Sequence, residues 1–415
     1  MTASISDQAL NSFPNFIFNI LLARWLPSSQ YGAFAFGFSI FLFLSGFQSA
    51  LILEPMSVLG PIHYPNQIYS YLYGLFKLNL AGSAALAIPG LLVSWAIFSQ
   101  SPLIAEALLG ASLSTPCILL FWFARRSCYL CAGPQTAVVG GIVYTVLLAG
   151  ILLLHRFHPI GVTGAFLWMS FASVAASLVI FGALLRKNNG RPFSGVSIAA
   201  FWPAQWQYGK WAVGTTLVYW AANTITVPAI GVLLSLEQSG VFRALQNLIL
   251  PLQQIGAALG TLFLPWFSKQ TQQMDGPDLA RPSNRLIIGF VVAGLAYLAG
   301  LVLFNKTLIE LLYNKPEYIS YAWISILLGI YGLLDFISNS FSTLLRAAQR
   351  PHSIFWARLW SAVASLTISL YLIQRMGIAG AAYGTILTGG ITLAVLAYQY
   401  LLLTRQPNSS VQSQE

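Results

Sequence analysis

Long uncharged apolar runs separated by short polar breaks set the pattern of this chain. Tyr31 to Leu53, for example, contains no Lys, Arg, Asp or Glu. Strands of a membrane barrel alternate apolar and polar residues over about ten positions. Here the apolar runs continue for a full helical crossing, which needs about 20 residues, so the spans are helical. Twelve are expected, at 8–26, 31–59, 71–98, 103–130, 136–154, 160–185, 211–236, 240–268, 286–306, 318–345, 354–374 and 378–403.

Composition excludes the soluble alternatives. Of 415 residues, 57% are hydrophobic and 7% charged, against about 25% charged in soluble domains. Such a chain cannot hydrate the surface of a soluble domain, is too apolar for a disordered one, and with 3 cysteines is no disulfide scaffold. The fold class is all-α, a polytopic membrane protein of about 12 transmembrane helices.

Charge then supplies orientation. The 20 Lys and Arg exceed the 10 Asp and Glu, a formal net charge of +10. In a soluble protein that would suggest nucleic acid, but cytoplasmic loops of membrane proteins collect basic residues. With both termini cytoplasmic, only Arg24, Arg156, Arg243, Lys306, Lys315 and Arg375 of the 20 fall on the outer side. Arg125, Arg126, Arg346, Arg350 and Arg358 are thus assigned to the inner side. Met1 to Leu10 lacks the basic start and small-residue cleavage site of a signal peptide, so the first helix is expected to be retained.

The two sets of six helices resemble each other. Gln30-Tyr-Gly32-Ala-Phe34 recurs as Gln238-Ser-Gly240-Val-Phe242, and Gly161-Val-Thr-Gly164-Ala165 as Gly377-Ile-Ala-Gly380-Ala381. Pro134 and Pro351 precede corresponding helices. Two pseudo-symmetric six-helix bundles are expected, 1–185 and 211–404. A cytoplasmic or interfacial linker, 186–210, carries Arg186, Lys187, Arg191 and the aromatics Phe201, Trp202, Trp206 and Tyr208. A disordered cytoplasmic tail, 405–415, follows. Parallel repeats place a substrate site where the halves meet.

Polar residues inside spans are costly in lipid and point to function. Ser4, Gln8, Asn11, Asn15 and Asn19 share one face of the first helix. Thr215, Tyr219, Asn223 and Thr226 do so on the seventh, and Arg243, Gln246, Asn247, Gln253 and Gln254 lie on the eighth. These faces suggest a hydrophilic lumen, with helix-to-helix hydrogen bonding as the alternative. Asp335, in the middle of the tenth helix, and Glu54, followed by a helix-breaking Pro55, are candidates for ion coupling, with Lys77 as a partner for Glu54. Arg243 is a candidate for an anionic group because a guanidinium binds phosphate oxygens in pairs; snorkelling to headgroups is the alternative.

Catalytic and metal signals are weak. Cys128-x-x-Cys131 lacks a second pair and His155-x-x-His158 lacks further ligands. No nucleotide-binding Gly-rich loop or His-Glu-x-x-His helix occurs. No cofactor, no metal and no catalytic residue is expected.

The residues quoted, together with Asp7-Gln-Ala-Leu, Leu21-Leu-Ala-Arg24-Trp-Leu, Leu53-Glu54-Pro55, Tyr208-Gly-Lys-Trp211, Gly240-Val-Phe-Arg243-Ala-Leu-Gln246-Asn247 and Leu344-Leu-Arg346-Ala, resemble bacterial Wzx-type polysaccharide flippases. These belong to the multidrug/oligosaccharidyl-lipid/polysaccharide (MOP) superfamily. The resemblance implies two six-helix bundles around a cavity of alternating access in the bacterial inner membrane. It implies transport of an undecaprenyl-pyrophosphate-linked oligosaccharide for O-antigen, capsule or exopolysaccharide, proton or sodium coupling, and association with other polysaccharide assembly proteins. Amides and tyrosines would then meet sugar hydroxyls and Arg243 the pyrophosphate, with Asp335 or Glu54 titrating. The cationic cavity of the family is matched sparingly here, by Arg243 and at most Arg24 or Lys77. A cation-coupled multidrug exporter of the same superfamily would want acids in its first lobe, and a membrane-embedded polymerase or ligase would want a large outer loop; both stay open as alternatives.

Overall fold

Hydropathy and proline position together account for the helices of the computed structural model, which describes residues 2–188, 197–273, 276–348 and 350–405. All regular structure among these residues is helical. In order the helices are α1 (Thr2–Trp25), α2 (Ser28–His63), α3 (Ile68–Ile97), α4 (Pro102–Cys131), α5 (Pro134–Phe157), α6 (Val162–Lys187) and α7 (Ile198–Asn223, continued by Thr226–Leu233). They continue with α8 (Leu236–Asn247, continued by Leu250–Gln273), α9 (Gly276–Tyr313), α10 (Ala322–Ala347), α11 (Pro351–Ala364, continued through Ser365–Ser369 to Met376) and α12 (Ile378–Arg405). Among the described residues nine helices are long and apolar enough to cross a membrane, or eleven if each of two bent pairs is one span. The twelfth, α1, has 24 residues, about 36 Å of helix, but its line of Ser, Gln and Asn lowers its hydropathy.

The chain divides into two units, Met1–Leu217 and Val218–Glu415, each with its own packing. In the first, α4 is central, lying against α2, α3 and α6, while α1 packs on α5. Small residues on α4 allow these close approaches: the Ser94 hydroxyl donates to the Ala105 carbonyl at 2.7 Å, and a Cβ on Gly110 would come within 2.8 Å of the Phe166 ring. In the second unit α10 holds the corresponding place, against α8, α9 and α12, and α11 lies along α12. Both Gly161 and Gly377 immediately precede a helix, α6 and α12. Gly377 turns the chain at φ +62°, and a Cβ on Gly380 would collide with the Leu372 carbonyl.

Several expectations are revised. The seventh and eighth spans are not continuous: α7 bends by 55° after Asn223 and α8 by 47° after Asn247. Proline explains both. Pro228 and Pro251 have no N–H to offer Thr224 and Asn247 four residues back, and their rings crowd those carbonyls. At Pro55 the helix widens instead of breaking, with a π-turn at Ser49–Leu53 in which the Glu54 N–H reaches back to the Ser49 carbonyl. Lys77 does not pair with Glu54: it lies 4.3 Å above the Tyr73 ring. Of the expected linker, 189–196 lies outside the described residues, and 198–210 is the first half of α7. Phe201 there is buried with Ile52, Met56, Tyr71 and Phe123, and Gln205 accepts from the Tyr71 hydroxyl at 3.0 Å. Of the expected tail, Arg405 closes α12 and 406–415 lies outside the described residues.

Candidate functional site

In the second unit the break in α7 leaves Tyr219 and Asn223 on the last turn of a helix end, where backbone carbonyls lack helical partners. Asn223 is held by its own helix, its Nδ2 donating to the Tyr219 carbonyl at 2.9 Å. That leaves its Oδ1 free to accept from the Arg358 guanidinium of α11 at 3.1 Å. The same guanidinium lies 5.4 Å from the centroid of the Tyr219 ring, a cation–π contact. Across a narrow crevice stands Asp335 of α10, the two charged groups sharing its lining with Tyr331, Ser338, Thr388 and Thr392. Gln253 of α8 donates to Asp335 Oδ2 at 3.4 Å. Among the described residues Asp335 and Arg358 close no direct ion pair, and the crevice has no room for a water-sized sphere. The arrangement holds a carboxylate and a guanidinium in reach of each other's field, each tied to a neutral amide. A change of charge on Asp335 would therefore act on Arg358, and through Asn223 on the end of α7.

Tyr219, Asn223 and Asp335 thus lie together in the second unit, a grouping that spacing along the chain did not indicate, and Arg358 joins them although its place in the chain had put it with the inner-face basic residues. Arg243, Gln246 and Asn247 lie apart, on the short half of α8 before its bend. Arg243 is half-buried and, among the described residues, makes no hydrogen bond or ion pair. Asn247 is buried. The carbonyl of Ala244 takes the Tyr313 hydroxyl at 2.7 Å, and that of Leu248, freed at the bend, takes the Tyr297 hydroxyl.

The first unit holds a second polar group. Asp7 of α1, 2% exposed, pairs with Arg125 of α4 at 2.7 Å. The guanidinium meets both carboxylate oxygens, and the Tyr129 hydroxyl donates to Oδ2 at 2.7 Å. Arg125, read from sequence as a determinant of topology, is therefore half of a buried ion pair. Four residues apart on the same helix face follow Asn11, Asn15 and Asn19. The Tyr144 hydroxyl of α5 donates to Asn15 Oδ1 at 2.9 Å, and Asn19 donates to the Asn15 carbonyl at 2.9 Å. The side chain of Asn11 is outside the described residues. Gln48 of α2 bridges Asn79 of α3 and the Leu119 carbonyl of α4, both at 2.6 Å. Glu54 is exposed, with the Ser49 hydroxyl at 3.4 Å.

Comparison with known proteins fits this architecture. The sequence model of a family described as polysaccharide biosynthesis proteins matches residues 161–316. No curated protein sequence matches the chain significantly. Among solved structures, an inward-facing multidrug resistance MATE family transporter of the MOP superfamily has 12% identity and a TM-score of 0.75, over 97% of this chain and 99% of that one. The lipid II flippase MurJ, in an inward closed conformation, has 12% identity and a TM-score of 0.77, over 97% of this chain and 90% of its own. A MOP superfamily transporter from Pyrococcus furiosus, described by its reversed binding-pocket polarity, has 14% identity and a TM-score of 0.61, over 98% and 95%. The protein has the fold of the MOP superfamily, a polytopic all-α membrane protein with two six-helix bundles. The likeness to polysaccharide flippases drawn from its residues meets the family match over 161–316.

Proposed function

We propose that the protein is a flippase, not an enzyme, that carries an undecaprenyl-pyrophosphate-linked oligosaccharide from the inner to the outer leaflet of the bacterial inner membrane by alternating access. The product feeds a surface polysaccharide such as O-antigen, capsule or exopolysaccharide. The observation that carries the reading is the grouping of Asp335, Arg358, Asn223 and Tyr219 within membrane-spanning helices, beside a broken helix. Discontinuous helices are where transporters of repeated architecture hold substrates and coupling ions. The family match over 161–316 supports the polysaccharide side of the reading. Asn11, Asn15, Asn19, Gln246 and Asn247 are the amides assigned to sugar hydroxyls, and Arg243 is the residue assigned to the pyrophosphate, since among the described residues its guanidinium has no ion-pair partner. Asp335 is assigned to proton or sodium coupling ahead of Glu54, which is exposed. Both termini are assigned to the cytoplasm.

The test is export of surface polysaccharide in cells carrying Arg243→Ala or Asp335→Ala, together with lipid-linked oligosaccharide measured in each leaflet. Each variant is expected to insert normally and to accumulate the lipid-linked precursor in the inner leaflet, with outward movement reduced at least tenfold. Unchanged movement in both variants would sink the site assignment.

A further inference from the structure

Helices α8 and α9 both pack on α10 but touch each other little, and a groove of about 600 Å³ opens between them. That volume is within the range of small-ligand sites, about 300–1,000 Å³. Its walls are apolar: Phe263 and Trp266 from α8, Gly289, Phe290 and Ala293 from α9, and Phe336 from α10. The two polar side chains of the lining, Gln270 and Arg285, are at one end. The helices are antiparallel there, so α8 runs toward Gln270 as α9 runs away from Arg285. After Arg285, residues 286–304 carry no charge and cover about 28 Å, close to the roughly 30 Å hydrocarbon thickness. Arg285 therefore stands at headgroup level, with the apolar part of the groove in the acyl region.

Two groups at the polar end want partners. Arg285 makes no hydrogen bond or ion pair among the described residues, and the buried Oε1 of Gln270 accepts none. Among the described residues no acidic side chain lines the groove. A ligand that satisfies both offers one anionic oxygen cluster to a guanidinium and one hydroxyl to an amide oxygen, joined to a chain that fills an aromatic slot. The single guanidinium at this end matches the one negative charge of a phosphodiester. We propose that this groove is a site for an anionic phospholipid of the phosphatidylglycerol type, its phosphate on Arg285, its headgroup hydroxyl on Gln270 and one acyl chain against Gly289 and Phe263. The lipid is a resident of the second unit, whatever the transported substrate.

Gly289 allows a test that does not disturb the fold, since a Cβ there would meet nothing within 4 Å. A leucine at this position fills the groove with its own side chain. Native mass spectrometry of the detergent-solubilised full chain would be run with phosphatidylglycerol, with phosphatidylcholine of the same acyl chains, and with a polyprenyl phosphate. One phosphatidylglycerol is expected to be retained in preference to the other two. Arg285→Gln is expected to lower that affinity about tenfold, to the level of phosphatidylcholine, through loss of the charge-assisted contact. Gly289→Leu is expected to abolish retention of any chain while the lipid-free melting temperature is kept, and Gly289→Ala to retain it. Equal retention by Gly289→Leu, no preference for phosphatidylglycerol over phosphatidylcholine, or displacement by equimolar polyprenyl phosphate would each overturn the proposal.

Discussion

Arg125 and Asp7 illustrate what a single charge does inside this protein. The pair is nearly dry, with side-chain exposures of 12% and 3%, and Tyr129 adds a third contact. Removing one member of such a pair strands the other, which costs about 3–5 kcal/mol, whereas removing both together costs far less. Arg125→Gln in the purified full chain is therefore expected to lower thermal stability sharply, and Asp7→Asn combined with Arg125→Gln to recover most of the loss. If the double variant melts as low as the sum of the single effects, the two residues are not coupled. The position of Asp7, four residues before Asn11 on the asparagine face, was a signal available in the sequence. Its partner was not, because nothing in a linear chain ties residue 125 to residue 7. Arg358 was hidden for the same reason: assignment to the nearer membrane face depends only on distance along the helix, while its role comes from Asn223 on another one.

At the scale of the element, hydropathy identified the spans but not their shape. The bends in α7 and α8 leave average hydropathy untouched, since each follows from one missing N–H at Pro228 or Pro251. Both prolines were visible, and reading them for the carbonyl each would release would have located both breaks. Pro251→Ala is expected to let a hydrogen bond re-form to the Asn247 carbonyl and to straighten α8. Distances between spin labels on its two halves should lengthen, and transport should fall; an unchanged distance would mean that packing, not the proline, sets the bend. The turn into α12 offers a sharper case. Gly380→Ala has no room beside the Leu372 carbonyl, and is expected to reduce folded protein in the membrane several-fold. Gly164→Ala, at the matching place of the repeat, meets only Ile160 at 3.6 Å and is expected to be tolerated.

For the molecule as a whole, the class of fold followed from the length of the chain's apolar runs, because the bilayer fixes span length. Orientation rests on the basic residues and has a direct check. With the three native cysteines replaced, Asn66→Cys between α2 and α3 is expected to be shielded from a membrane-impermeant thiol reagent in intact cells, and Gln100→Cys between α3 and α4 to react. The opposite pattern would invert the topology.

One consequence attaches to Arg358. It is a cation delivered by the chain itself, so its presence beside Asp335 follows no binding curve and cannot be diluted, chelated or exchanged by changing the medium. A mobile ion at the same place would come and go with its concentration on either side. A covalently carried one keeps full occupancy in every ionic environment the cell meets, and it can move away from the carboxylate only as far as its side chain and its own helix allow.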